Sequence, residues 1–112
     1  MDPSDRPLHY DRLGVAIDLD EWVQLMEDDE YRLIALTTVA GRFRVSTVWL
    51  GLNHEFFGGP PLIFETLVFD HGELHDDFMR RYHTEDQARE GHAEVVALVR
   101  TLEECGPQEG VK

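Results

Sequence analysis

A histidine beside a glutamate is where chemistry would be sought first, and His54-Glu55 is such a pair. Zinc proteases carry H-E-x-x-H on a helix, so that two imidazoles one turn apart hold the metal while the glutamate acts as general base. Here the place of the second histidine is taken by Gly58, and the segment runs into Gly58-Gly59-Pro60-Pro61, which reads as a loop. The pattern fails in both respects. A second dense group spans Asp70 to Asp77, with His71, His75 and Asp76 as weak candidate ligands for zinc, nickel or manganese. A functional metal site needs fixed geometry and an outer ring of hydrogen bonds, which a polar loop does not supply. The expectation is a solvated loop with no resident metal.

Two further residues stand out by their surroundings. Glu65 interrupts the apolar run Leu62–Phe69, and an unpaired carboxylate there would be costly to bury. It must face water, pair or be protonated, and Arg42, Arg44, Arg80 and Arg81 are available partners. An ion pair is the expectation. His92 falls on the apolar stripe of a C-terminal helix, where a core histidine with a buried hydrogen bond is the expected role. A small hydrolase or metal-dependent enzyme would instead need His54, Glu65 and His92 to converge within hydrogen-bond reach. That is the alternative reading, and no catalytic residue is otherwise expected. Gly58-Gly59 is followed by prolines and a strand rather than a helix, so it is no phosphate-cradling loop, and no cofactor is expected.

The elements that must position these residues can be read from periodicity. Asp18-Leu19-Asp20-Glu21 fits a capping box, and Leu19, Trp22, Val23 and Met26 have helical spacing, predicting a short helix over about 19–28. Residues 31–39 and 43–52 are rich in β-branched and aromatic types and flank Ala40-Gly41, which predicts an antiparallel hairpin. Residues 62–69 form a third strand and 78–82 a short fourth. Thr84-x-x-Gln87 caps a long helix over about 85–104, with Ala88, His92, Val95, Val99 and Leu102 along one stripe and Gly106-Pro107 ending it. The fold class is therefore α+β: a three- to four-stranded antiparallel meander flanked by a short N-terminal and a long C-terminal helix. A single domain is expected over 10–105, with flexible termini at 1–9 and 106–112.

Alternation places Phe43, Val45, Thr47 and Trp49 on one sheet face, with Val48 and Leu50 on the other. Residues 62–69 are likewise apolar on both faces. Two helices can cover one face of such a sheet but not both. The second face therefore predicts a homodimer or a partner protein, with an N-terminal segment laid across it as the competing arrangement.

Charge and size bound the rest. The chain has 112 residues, 23 acids and 10 bases, for a net charge of −13. Such a balance argues against direct nucleic-acid binding, because phosphate contacts need Lys and Arg. Residues 1–31 hold ten acids and two bases, whereas residues 32–52 hold three arginines and no acid, which suggests a basic hairpin on an acidic body. No run reaches the roughly 20 apolar residues of a membrane helix. The N-terminus lacks the pattern of a signal peptide, and one cysteine permits no internal disulfide, so a cytoplasmic setting is expected.

Three separated segments carry a resemblance. Thr47-Val48-Trp49-Leu50-Gly51-Leu52-Asn53-His54, then Gly59-Pro60-Pro61-Leu62-Ile63-Phe64-Glu65-Thr66, then Arg81-Tyr82-His83-Thr84 with Ala88, Gly91 and His92, resemble a group of short uncharacterised proteins of actinobacteria and their phages. The resemblance spans roughly residues 10–100. It implies a shared fold and a phage or prophage accessory role in the host cytoplasm, and no reaction. It also makes a common pocket beside the 53–61 loop a reading to test. The candidate binding residues are Trp49, Asn53, His54, Phe56, Phe57, Arg42, Arg44 and Tyr82. The expected partner is a host or phage protein, one version being a nucleic-acid enzyme inhibited by an acidic surface.

Overall fold

The computed structural model describes residues 7–55 and 58–109 of the chain. Helix α1 covers Leu19–Met26, and Asp18 starts it by accepting a hydrogen bond from the amide of Glu21 at 2.8 Å, as the capping box requires. Strands β1 (Leu33–Val39), β2 (Phe43–Trp49) and β3 (Phe64–Asp70) form an antiparallel meander. Two short strands, β4 (Glu73–Leu74) and β5 (Arg80–Tyr82), both pair with the outer side of β3. The long helix α3 (Glu85–Glu109) follows. Its start is capped by Thr84, whose hydroxyl accepts from the amide of Gln87. The expected α+β class and order of elements hold.

Several boundaries differ, each for a local reason. Tyr31 and Arg32, expected at the start of a strand, lie in a separate one-turn helix α2 (Asp29–Arg32). Asp28 captures the amides of Glu30 and Tyr31 and restarts the helix that the acidic run was expected to stop. The second strand ends at Trp49 because Gly51 turns the chain at φ +70°. A Cβ at Gly51 would fall on the Trp49 ring and 2.7 Å from Trp22 Nε1, so glycine is required there. The polar loop after β3 is partly ordered: Glu73 and Leu74 pair back on Asp70 and Phe69, and a 3-10 turn covers Asp76–Phe78. Helix α3 runs through Gly106 and Pro107 rather than ending there. Residues 7–9, expected to be loose, are tied to the body: the Asn53 amide donates to the Leu8 carbonyl, and His9 bridges to Leu52.

One sheet face carries Phe43, Val45, Thr47 and Trp49 of β2 with Phe64, Thr66 and Val68 of β3, all of them fully buried. Helix α3 lays Ala88, His92, Val95 and Val99 on this face, the stripe expected from its spacing. At the Trp49 end, α1 and α2 complete the layer. Tyr31 meets the Trp49 ring edge-on at 4.9 Å, and Trp22 Nε1 donates to the Leu50 carbonyl at 3.0 Å. The three helices thus share one side of the sheet. The reverse face carries Leu36, Thr38, Arg44, Ser46, Val48, Glu65, Leu67 and Phe69, with Leu74 and Arg81 beside them in register.

Candidate functional site

The helix side encloses a chain of hydrogen bonds inside an otherwise apolar core. Tyr82 OH donates to Thr66 Oγ1 at 2.9 Å, and Thr66 Oγ1 lies 2.5 Å from Thr47 Oγ1. Thr47 Oγ1 is 2.8 Å from His92 Nδ1, while His92 Nε2 is 2.9 Å from Thr37 Oγ1. With Tyr82 as first donor, the direction of the whole chain is set. Thr66 donates to Thr47, Thr47 donates to Nδ1, and the Nε2–H of a neutral His92 donates to Thr37. Burial lowers the pKa of His92, which favours this neutral form. A proton on Nδ1 would oppose the Thr47 donor and leave one hydroxyl in the chain without an acceptor. Burial raises the pKa of the Tyr82 phenol, and the hydrogen bond to Thr66 opposes that shift.

His92 therefore makes two hydrogen bonds, a buried one to Thr47 and a partly buried one to Thr37, one more than its place on the stripe suggested. Thr37, Thr47 and Thr66 were absent from the expected site residues. Their only signal is a threonine on the core-facing parity of three consecutive strands, which ordinary strand propensity also produces. Gly91 belongs to the same construction. A Cβ there would fall on the Tyr82 ring and hydroxyl, so its absence lets the phenol lie flat against α3 and reach Thr66.

The proposed catalytic trio is not brought together. Glu65 and Thr66 are neighbours on one strand and point to opposite faces. Thr66 joins the network that holds His92, so Glu65 and His92 lie on opposite sides of the sheet. Of the four candidate arginines, Glu65 pairs with Arg81, directly opposite in register, through a 3.1 Å contact from Nε to Oε2. Glu65 is only 9% exposed. His54 sits beside this pair. Burial is the main cause lowering its pKa, the Arg81 charge adds to it and Glu65 opposes it. Its Nε2 is buried without a hydrogen-bond partner among the described residues.

Arg81→Met removes the partner of a buried carboxylate. Because Arg81 keeps about a third of its side chain in water, the expected cost in urea unfolding is about 1–2 kcal/mol, below that of a fully buried pair. The double change Glu65→Gln with Arg81→Met should recover most of that loss. A cost equal to or above the single variant's would show that Arg81 acts by packing.

The remaining candidates fall in different places. Asn53 shapes the loop, its Oδ1 accepting from the amides of Glu55 at 2.7 Å and Leu62 at 3.3 Å. Trp49 is wholly buried and donates to the Tyr10 carbonyl, so it is a core residue rather than a contact residue. Tyr82 is likewise internal. Arg42 is bound bidentately by Asp70 at 2.7 and 2.8 Å with Glu103 nearby, which corrects the picture of a basic hairpin. That pairing raises the Arg42 pKa and lowers that of Asp70. Arg44 alone stands out from the sheet, its guanidinium 5.0 Å from the Phe69 ring. Phe56 and Phe57 lie outside the described residues. Among the described residues, no three His, Cys, Asp or Glu side chains gather to hold a metal ion, and His71, His75 and Asp76 remain separate. No described helix is long and apolar enough to cross a membrane. Comparison with family models, curated proteins and solved structures finds no match to this chain.

Proposed function

We propose that this chain is a phage-type accessory protein that binds another protein through the reverse face of its sheet. The observation carrying this reading is that face itself. All three helices pack on the other side, while Leu36 is 52% exposed, Leu74 51% and Leu33 43%, with Val48, Leu67 and Phe69 half-buried among them. An apolar, β-rich surface left in water on a domain this small marks a docking face. Acids surround it at a distance, on α1, α2 and the solvent side of α3, while the face itself holds the Glu65–Arg81 pair and Arg44, which has no carboxylate partner among the described residues. The fitting partner presents an apolar patch within a basic rim. An enzyme that handles nucleic acid has such a surface, and the resemblance to actinophage proteins supports a host enzyme in the cytoplasm.

The test is capture from host extract by the immobilised protein, with Leu36→Asp beside the native chain. Leu36 is exposed, so the substitution should leave thermal stability within about 0.5 kcal/mol. Expected is a partner with a basic surface, lost on Leu36→Asp and released by salt as charge screening predicts. Equal capture by both proteins would overturn the assignment of this face.

A further inference from the structure

The two edges of the sheet are finished differently. Beyond β3, the edge is made of β4 and β5, two and three residues long, carrying Glu73, Arg80 and Arg81. Short, charged edge strands are a usual defence against pairing with another chain. The other edge is β1, seven residues, Leu33-Ile34-Ala35-Leu36-Thr37-Thr38-Val39, without a charge or a proline. Its defences are confined to one end, where the register shifts between Leu33 and Ala35 and Arg89 Nη1 donates to the Ile34 carbonyl at 3.3 Å. From Ala35 to Val39 the strand is regular, and alternate residues turn their N–H and C=O outward. No described strand pairs with that side.

We infer that β1 is completed by β1 of a second copy, antiparallel and related by a two-fold axis. The inference goes beyond the docking reading above and stands without it. Charge decides the occupant and the direction. A copy with net charge −13 approaches another most readily where neither carries an acid, and β1 is such a place. In a parallel pairing, the acidic run Asp28-Asp29-Glu30 before β1 would lie beside its own image. In the antiparallel pairing the two acidic runs lie at opposite ends of the seam. The flank of α3 above β1, located by the Arg89 contact, carries the small exposed residues Ala93 and Ala97, so a second α3 can approach alongside. The paired sheets would join their reverse faces into one surface, with Leu36 of each copy at the seam.

Sedimentation equilibrium and hydrogen exchange test this with the full chain. Expected is a dimer mass at high concentration, with protection of alternate amides in Ala35–Val39 that is lost on dilution. Thr38→Lys, at an exposed edge position, should give a folded monomer. Leu67→Lys, two strands inward on the reverse face, should leave the dimer intact while abolishing partner capture, so the two readings fail separately. A monomer at all concentrations would overturn the inference. So would a dimer broken by Leu67→Lys but not by Thr38→Lys, which would place the contact face to face.

Discussion

Gly91→Ala is expected to destabilise the fold by about 2 kcal/mol, although alanine is the better helix former. In an exposed helix interior the same change would gain roughly 0.5–1 kcal/mol by reducing the freedom of the unfolded chain. Here the new methyl would occupy the place of the Tyr82 ring and hydroxyl. The ring has no room to step aside, because its edge is buried against Phe64 and Ala88 and its hydroxyl is bonded to Thr66. Either α3 lifts from the sheet or Tyr82 leaves Thr66, and both outcomes disturb the buried chain. Thermal and urea unfolding measure the loss. Ala93→Gly, on the exposed side of the same helix, serves as reference and should cost only about 1 kcal/mol by propensity. Combining Gly91→Ala with Tyr82→Val should cost less than the sum of the two single changes, since the smaller side chain leaves room for the methyl. Full additivity would mean that the Gly91–Tyr82 contact does not limit the packing.

The second large effect concerns His92. His92→Leu removes the acceptor of Thr47 and the donor to Thr37 together, leaving the proton of the buried Thr47 hydroxyl without an acceptor at the centre of the sheet. A loss of about 2–4 kcal/mol is expected, combining an unsatisfied polar group with imperfect packing. His92→Gln, which offers one donor and one acceptor, should be milder. The two variants also differ from the native protein in their response to pH. Burial puts the folded His92 below the usual histidine value of 6.5, so in acid the unfolded chain takes up a proton that the folded chain refuses. Native stability is complete above that value and falls as the pH drops through the folded pKa. His54 is shifted in the same direction, mainly by burial, and contributes a slope of the same sign. Urea unfolding between about pH 7.5 and 5.5 should therefore give a steep dependence for the native chain and a shallower one for His92→Gln, with the residue traced to His54. An unchanged slope in His92→Gln would mean that His92 takes up its proton without disturbing the chain.

The three sequence segments noted above converge in the fold. Thr47, Trp49 and Gly51 from the first segment, Thr66 from the second, and Tyr82, Ala88, Gly91 and His92 from the third all meet in one layer between the sheet and α3. They align the strands and seat the long helix. Of the residues first considered for chemistry, His92 and Tyr82 lie in this layer. Glu65 lies on the opposite face, the one proposed for docking, with His54 beside it.

What could be read without coordinates was whatever has a short period. The alternation of Phe43, Val45, Thr47 and Trp49 and the stripe Ala88, His92, Val95 and Val99 each settle which residues face inward, because spacings of two and of three to four residues are fixed by backbone geometry alone. The caps at Asp18 and Thr84 were legible for the same reason, each being complete within four residues. The choice of Arg81 for Glu65 was not, since four arginines were chemically equivalent and only the register of β5 against β3 distinguishes them. Nor was the hydrogen-bond chain, whose members stand 19, 45 and 55 residues apart along the sequence. The excess of apolar strand surface over helix was already present in the sequence. That all three helices gather on one side, leaving Leu36 and Leu74 in water and β1 as a bare edge, was decided only by tertiary packing around Trp49 and His92. Local patterns specify how a segment folds and which side it hides; only long-range register and packing decide which hidden sides meet.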